Sequence, residues 1–254
     1  MSIAAAIEIF NTDIESRGIR QPTRKKYRQL FDRLHKFSAD HGLTFLTQFD
    51  VNACRDFRNS WGVAPVTANK MLERMRAFFG FCVDSEWIQK NPAKLVRRSI
   101  ETQPPTMPFT KEELVKIMRA LDEHRHGKTG ERRENAERLR ALVLTIRHTA
   151  MRISDAVMLR RSQIKDDKVI LRQAKTGVDV TLPLNPELLD ALEMFPAGEY
   201  YFAPGPGKHE TRSGNWRRGL RKIFAKAGLP DGHAHRFRDT LAVEMLDARG
   251  WSSN

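Results

Sequence analysis

Cysteine is nearly absent: Cys54 and Cys82 are the only two in 254 residues, and no paired spacing surrounds them. A disulfide framework and a thiolate zinc site are both excluded, and a reducing compartment is expected. Long apolar runs are missing too. The opening MSIAAAIEIF is short, carries Glu8 and lacks a basic flank, so neither a leader peptide nor a membrane span is read there. A cytoplasmic protein that does not engage a membrane is expected. Acidic charge is also scarce, because 31 Asp and Glu face 44 Lys and Arg for a net charge of +13. Such an excess favours an extended polyanion, and double-stranded nucleic acid leads over a membrane surface. Tyrosine occurs only as Tyr27, Tyr200 and Tyr201.

Against these absences stand two amphipathic basic helices in the front of the chain. In QPTRKKYRQLFDRLHKFSADHG, Tyr27, Leu30, Phe31, Leu34 and Phe37 recur at helical spacing, with Thr23 as the expected N-cap and Gly42 as the stop. Arg24, Lys25, Lys26 and Arg28 fall on its outer face. In VTANKMLERMRAFFGFCVDSEW, Met71, Met75, Phe78, Phe79 and Cys82 line an inner side, which reads as core, while Lys70, Arg74 and Arg76 remain for solvent or phosphate. Residues 99–109, SIETQPPTMPF, hold three prolines and no period and read as a linker; Thr110 and Glu113 then form a capping box that restarts a helix. The chain thus divides into 1–98, a linker of 99–109, and 110–254. Residues 1–100 carry 17 basic and 10 acidic side chains, and the remaining 154 carry 27 and 21, so both halves have a basic excess.

The second half reads as helical with one exception. In KVILRQAKTGVDVTLPL, Val169 and Leu171 alternate with polar residues before KTG, and Val178, Val180 and Leu182 do so after it, which predicts a β-hairpin with Lys175 at its tip. The fold class expected is mainly α with a small antiparallel β-sheet, in two domains. Upstream, the apolar stripe Leu139, Leu142, Val143 and Ile146 ends in HTAMRISDAVMLR, where a new helix starts near Arg152 with Asp155 one turn on. Downstream, KHETRSGNWRRGLRKIFAK buries Trp216, Leu220, Ile223 and Phe224 and displays Arg217, Arg218, Arg221 and Lys222, a backbone-phosphate face. HAHRFRDT then sets His235 and Arg238 three apart, on one helix face. The two His-x-His pairs, 124–126 and 233–235, have no further ligand at metal spacing. HRHGKTGERREN reads as a solvated loop, with His124, His126 and His233 at the surface. No metal and no cofactor is expected.

Arginine in AMRISDAVMLR, lysine in AKTG and the HRFR pair, in that order, resemble the tyrosine recombinases, or phage-type integrases. The resemblance spans nearly the whole chain. It implies that residues 1–98 are a core-binding (SAM-like) DNA-binding domain, that 110–254 are the α+β catalytic domain, and that the two clamp duplex DNA alongside other recombinase protomers. It implies that Arg152 and Arg238 grip the scissile phosphate, that Lys175 is the hairpin lysine and His235 the first histidine, and that Asp155 supports Arg152. Ala150 stands where the family most often has glycine, so the turn before Arg152 is expected to be less free to take a positive φ.

The chemistry asks for these residue types. Attack on a phosphodiester builds charge on the non-bridging oxygens, and a guanidinium fork holds two of them while staying protonated. A lysine delivers a proton to the leaving oxygen and an imidazole assists transfer at the nucleophile. The family's nucleophile is a tyrosine beyond the HRFR helix, and here no tyrosine follows Tyr201. Tyr27, Tyr200 and Tyr201 read as packing, and Trp251 matches no motif. Three alternatives stay open: a recombinase relative that binds DNA without cutting it, an enzyme completed by a tyrosine in trans, and a DNA-binding regulator that competes with an intact recombinase.

Overall fold

The computed structural model describes residues 1–102, 105–172, 178–195, 198–203 and 209–249. The chain forms two compact units, Met1–Pro104 and Pro105–Asn254.

In the first unit, α1 (Ile3–Ser16) starts where the Ser2 hydroxyl accepts the Ala5 N–H, and it buries Ile3, Ile7, Phe10 and Ile14 at helical spacing. Next comes α2 (Gln21–Asp40), which buries Leu30, Phe31, Leu34 and Phe37. Its N-cap is Arg20, and Pro22 in the first turn sets the start, so Thr23 lies inside the helix and does not cap it. Gly42 takes φ +67° just past the end, as a stop requires. The Asp50 carboxylate caps α3 (Val51–Asn59), and Pro65 opens α4 (Pro65–Asp84). The Phe10 ring packs against Tyr27, Phe31, Phe78 and Phe81 at centroid distances of 5.1–5.6 Å, joining α1, α2 and α4. Truncating one such buried phenylalanine costs about 3–5 kcal/mol. Cys54 and Cys82 are buried, and burial pushes both thiols up to about 12, which leaves them unreactive packing groups.

The segment after α4 is tied back. Buried Asn69 accepts from the Ser99 N–H and donates to the Ser99 carbonyl and the Glu101 carboxylate. At the other end Phe109 is core of the second unit, and its N–H donates to the Thr240 hydroxyl at 2.8 Å. The stretch that reads as a linker is therefore anchored at both ends.

The second unit opens with α5 (Lys111–Arg125), whose Thr110/Glu113 capping box is formed as the sequence predicts. Residues 126–129 then connect to α6 (Gly130–Thr149), so GERREN is the start of a helix and not part of a loop. His124 is half-buried near the end of α5, with Nε2 2.8 Å from Lys128 Nζ, which corrects its reading as a surface residue. Leu139, Leu142, Val143 and Ile146 are buried along α6. A single turn, α7 (Ile153–Val157), leads to β1 (Ile164–Lys165), β2 (Lys168–Arg172) and β3 (Asp179–Pro183). The sheet is antiparallel in the order β1-β2-β3, with Lys165 opposite Lys168 and Val169 opposite Leu182. Asp166 and Asp167 turn the first hairpin with φ of +48° and +56°, a two-residue loop of the kind that suits strand twist. Asn185 caps α8 (Pro186–Glu193), followed by α9 (His209–Lys226) and α10 (Ala234–Asp247). The fold is thus mainly α with one small antiparallel sheet, as the sequence predicts. Among the described residues no helix is long and apolar enough to cross a membrane.

Candidate functional site

Three turns bring the site together. The first is the end of α6, where the Thr149 hydroxyl bonds back to Thr145 and Ala150 caps the helix at φ +50°, ψ +25°. Ala150 takes the left-handed conformation despite its Cβ, at a cost of about 1 kcal/mol relative to a right-handed residue, so the turn is made with a residue less free to make it. Chain reversal there sets Arg152 as the N-cap of α7. Its Nη1 lies 3.8 Å from the Asp155 carboxylate, so Asp155 does flank the first arginine.

The second turn ends α9. Gly228 takes φ +76°, and the Leu229 N–H reaches the Phe224 carbonyl at 2.8 Å in a Schellman-type closure. Gly232 follows, packed so tightly that a Cβ there would lie 2.7 Å from the Phe224 ring and 2.9 Å from the Leu229 carbonyl oxygen. The third is the start of α10, capped by the His233 backbone without any side-chain cap bond. Its N-terminal dipole therefore stays available to an anion.

Together these turns enclose a cavity of about 480 Å³ lined by Arg152, Arg217, Arg221, His235 and Arg238, with Ser154 and His233 alongside. Phe224 and Leu220 form its apolar wall. Arg238 is half-buried, and its Nη1 donates to the Ala150 carbonyl. Burial is the main cause that lowers its pKa, the neighbouring Arg152 adds to this, and Asp155 and Asp239 oppose it. An arginine remains charged under such pressure, so two like charges are held close together at an energetic cost that an arriving anion relieves. His235 is mostly exposed at the rim, with Nε2 3.7 Å from Asp239. The arrangement can hold and polarise an anion such as a phosphodiester.

Other expected site residues separate. Lys175 lies outside the described residues, while the strands on either side of it pair as a hairpin with Arg172 opposite Asp179. On α9, only Arg217 and Arg221 reach the cavity; Arg218 points to Asn215 at 3.3 Å and Lys222 is exposed elsewhere. In the first unit Lys25, Lys26, Arg28 and Lys70 are exposed, and Arg74 is partly so with its Nη1 on the Lys70 carbonyl. Arg24 is ion-paired with Glu15 across α1 and α2. Arg76 does not belong with the solvent-facing group. Its guanidinium donates to the Ala93 carbonyl at 3.2 Å and the Val96 carbonyl at 2.6 Å, and so fastens the chain that leaves α4. Sequence reasoning missed Ser154, His233 and the Gly232 contact. Gly232, three residues before the start of HRFR, was the one visible signal.

The sequence pattern of the phage integrase family matches residues 108–252. A tyrosine recombinase XerC of Pediococcus pentosaceus is 25% identical over 183 residues, which are 68% of this chain and 57% of that protein. The chain thus spans under three fifths of the length of this curated relative. Among solved structures, the lambda integrase(75-356) dimer bound to a COC' core site aligns with TM-score 0.79 and 18% identity over 98% of this chain and 91% of that one. The XerH site-specific recombinase bound to difH substrate aligns with TM-score 0.66 and 18% identity, over 96% of this chain and 73% of its own.

Proposed function

This chain belongs to the phage integrase family, and from that premise we propose that it binds duplex DNA and holds one backbone phosphate between Arg152 and Arg238. The observation that carries the reading is the shared cavity, where four arginines and two histidines converge, with Asp155 and Asp239 acting on Arg238. In this reading Arg152 and Arg238 take the non-bridging oxygens, Asp155 steadies Arg152, His235 serves proton transfer at the rim, and Lys175 approaches the leaving oxygen from its hairpin. Arg217 and Arg221 neutralise the flanking backbone. The DNA-bound dimers and tetramers of lambda integrase support duplex DNA and further protomers as partners.

Residues 1–98 contribute phosphate contacts through Lys25, Lys26, Arg28 and Lys70. The second unit carries the strand-exchange chemistry of the family only as far as its own residues reach. None of the chain's three tyrosines lines the cavity: Tyr27 packs on Phe10 in the first unit, Tyr201 is buried in the second, and Tyr200 pairs with Arg160. Electrostatic stabilisation cannot replace an attacking oxygen. These residues therefore bind and polarise a phosphate, and a covalent step needs an attacking hydroxyl that Tyr27, Tyr200 and Tyr201 do not bring to the cavity.

The test uses a duplex selected from a random library for tight binding and nicked to trap a covalent intermediate. Incubation with the chain alone gives no protein-linked DNA on a denaturing gel, whereas adding a tyrosine-bearing recombinase segment gives a linked band that Arg238→Ala abolishes. A band from the chain alone that maps to Tyr27, Tyr200 or Tyr201 overturns the reading.

A further inference from the structure

The described residues contain a second cationic cavity, of about 510 Å³, that shares no lining residue with the first. It lies on the other flank of α9. Arg217 and Arg221 face the first cavity, while Arg212, Asn215, Trp216 and Gly219, rotated round the same helix, face the second. Its floor is apolar, made of Leu139, Phe202, Ala203 and Trp216, and the Trp216 indole is fixed by its N–H bond to the Phe202 carbonyl at 2.7 Å. Its rim is cationic, with Lys128, Arg132 and Arg212 beside His124 and Asn215.

We propose that this cavity is a nucleotide site, binding one phosphate-bearing aromatic unit with the phosphate on Lys128 and Arg132 and the base on the Leu139–Trp216 floor. Three independent features support it. First, cations crowd around Lys128. The Lys128 ammonium donates to His124 Nε2 at 2.8 Å, Lys222 and Lys226 add to the same field, and the adjoining Glu123 is already bound to Lys226 at 3.1 Å and Arg119 at 3.2 Å. Burial and these neighbouring cations lower the pKa of both His124 and Lys128, which is the strain an anion would relieve. Second, the cavity is concave with an apolar floor. A duplex backbone tracks a broad convex or grooved basic surface, whereas one aromatic unit fills a pocket of this size. Third, Gly219 sits in the interior of α9, where glycine costs roughly 1 kcal/mol against alanine. A Cβ there would meet only the Leu139 side chain, at 3.6 Å, so packing does not demand glycine; its missing side chain leaves the floor open.

A nucleotide of this chemistry has two sources, a free nucleoside phosphate or an unpaired nucleotide of a DNA strand. Calorimetric titration of the full chain with ADP, inorganic phosphate and a short single-stranded oligonucleotide separates them. Saturable ADP binding at one site is expected, weakened about tenfold or more by Lys128→Met with Arg132→Met and unchanged by Arg217→Ala. Gly219→Leu fills the floor without touching the rim and is expected to weaken ADP while leaving inorganic phosphate alone. Displacement of ADP by the single strand assigns the site to a strand, and absence of displacement assigns it to a free nucleotide. The proposal is overturned if ADP gives no saturable binding, if inorganic phosphate binds as tightly as ADP, if the double variant binds ADP as before, or if intact duplex displaces ADP as well as the single strand does.

Discussion

Arg238 Nη1 donates to the carbonyl oxygen of Ala150, a residue held at φ +50° at the end of α6. One strained residue thereby does two things: it reverses the chain so that Arg152 heads α7, and it turns its carbonyl toward the second arginine, eighty-eight positions away in sequence.

Substitutions at position 150 should follow from that dual role. Ala150→Gly removes the left-handed penalty and adds unfolded-state entropy of similar size, so stability should change by less than about 1 kcal/mol and DNA affinity should hold. Ala150→Val, branched at Cβ, should lose about 2 kcal/mol and weaken DNA binding as the carbonyl moves off Arg238. Chemical denaturation and duplex titration of both variants check this.

Gly232→Ala should be destabilising for a steric reason. The new methyl would sit inside contact distance of the Phe224 ring and the Leu229 carbonyl, so ring or turn must shift, at about 1–3 kcal/mol. Thermal unfolding measures the loss, and a variant as stable as the parent would mean the turn yields freely.

The basic residues of the first unit should divide into two kinds. Arg76→Ala removes two bonds to carbonyls at 93 and 96 and should cost about 1–3 kcal/mol of stability. Lys70→Ala and Lys25→Ala should leave stability alone, and each should reduce the slope of log affinity against log salt by about 1. Paired unfolding and salt titrations separate the two.

The helical stripes were legible because burial follows the 3.6-residue period: Leu30 to Phe37, Met71 to Cys82 and Leu139 to Ile146 were all read correctly from spacing. The hairpin around 168–183 was legible from alternation. Other features depend on partners that spacing does not reveal. Arg76 sits on a flank that the period marks as wet, and only the fold brings 93 and 96 to it. Helix α1 was not read from MSIAAAIEIF, although Ser2 caps it, and β1 was missed because Asp166-Asp167 replaced the Gly or Asn expected at a tight turn. On α9 the four adjacent basic residues read as one face, whereas a 100° step per residue divides Arg217 and Arg221 from Arg218 and Lys222.

Histidine 148 gives a pH prediction. It is half-buried against Asn185, and burial, aided by Arg147, holds its pKa below the ordinary 6.5, with Glu187 and Glu244 opposing. A depressed folded pKa means that the unfolded chain takes up the proton first as pH falls. The stability it contributes is present above 6.5 and is lost as pH drops through the folded value. His148→Gln should therefore flatten the decline of stability below pH 6.5 and leave the slope above it unchanged, as denaturation at a series of pH values would record.

The central claim, that Arg152 and Arg238 hold one backbone phosphate, is tested most directly by a thermodynamic cycle. Binding of the parent and of Arg238→Ala is measured on a selected duplex and on a series in which single phosphates are replaced by neutral methylphosphonate. The expected result is one phosphate at which the two changes are not additive, Arg238→Ala costing about 1.5–3 kcal/mol on the natural duplex and almost nothing on the neutralised one. Additive losses at every phosphate would contradict the claim.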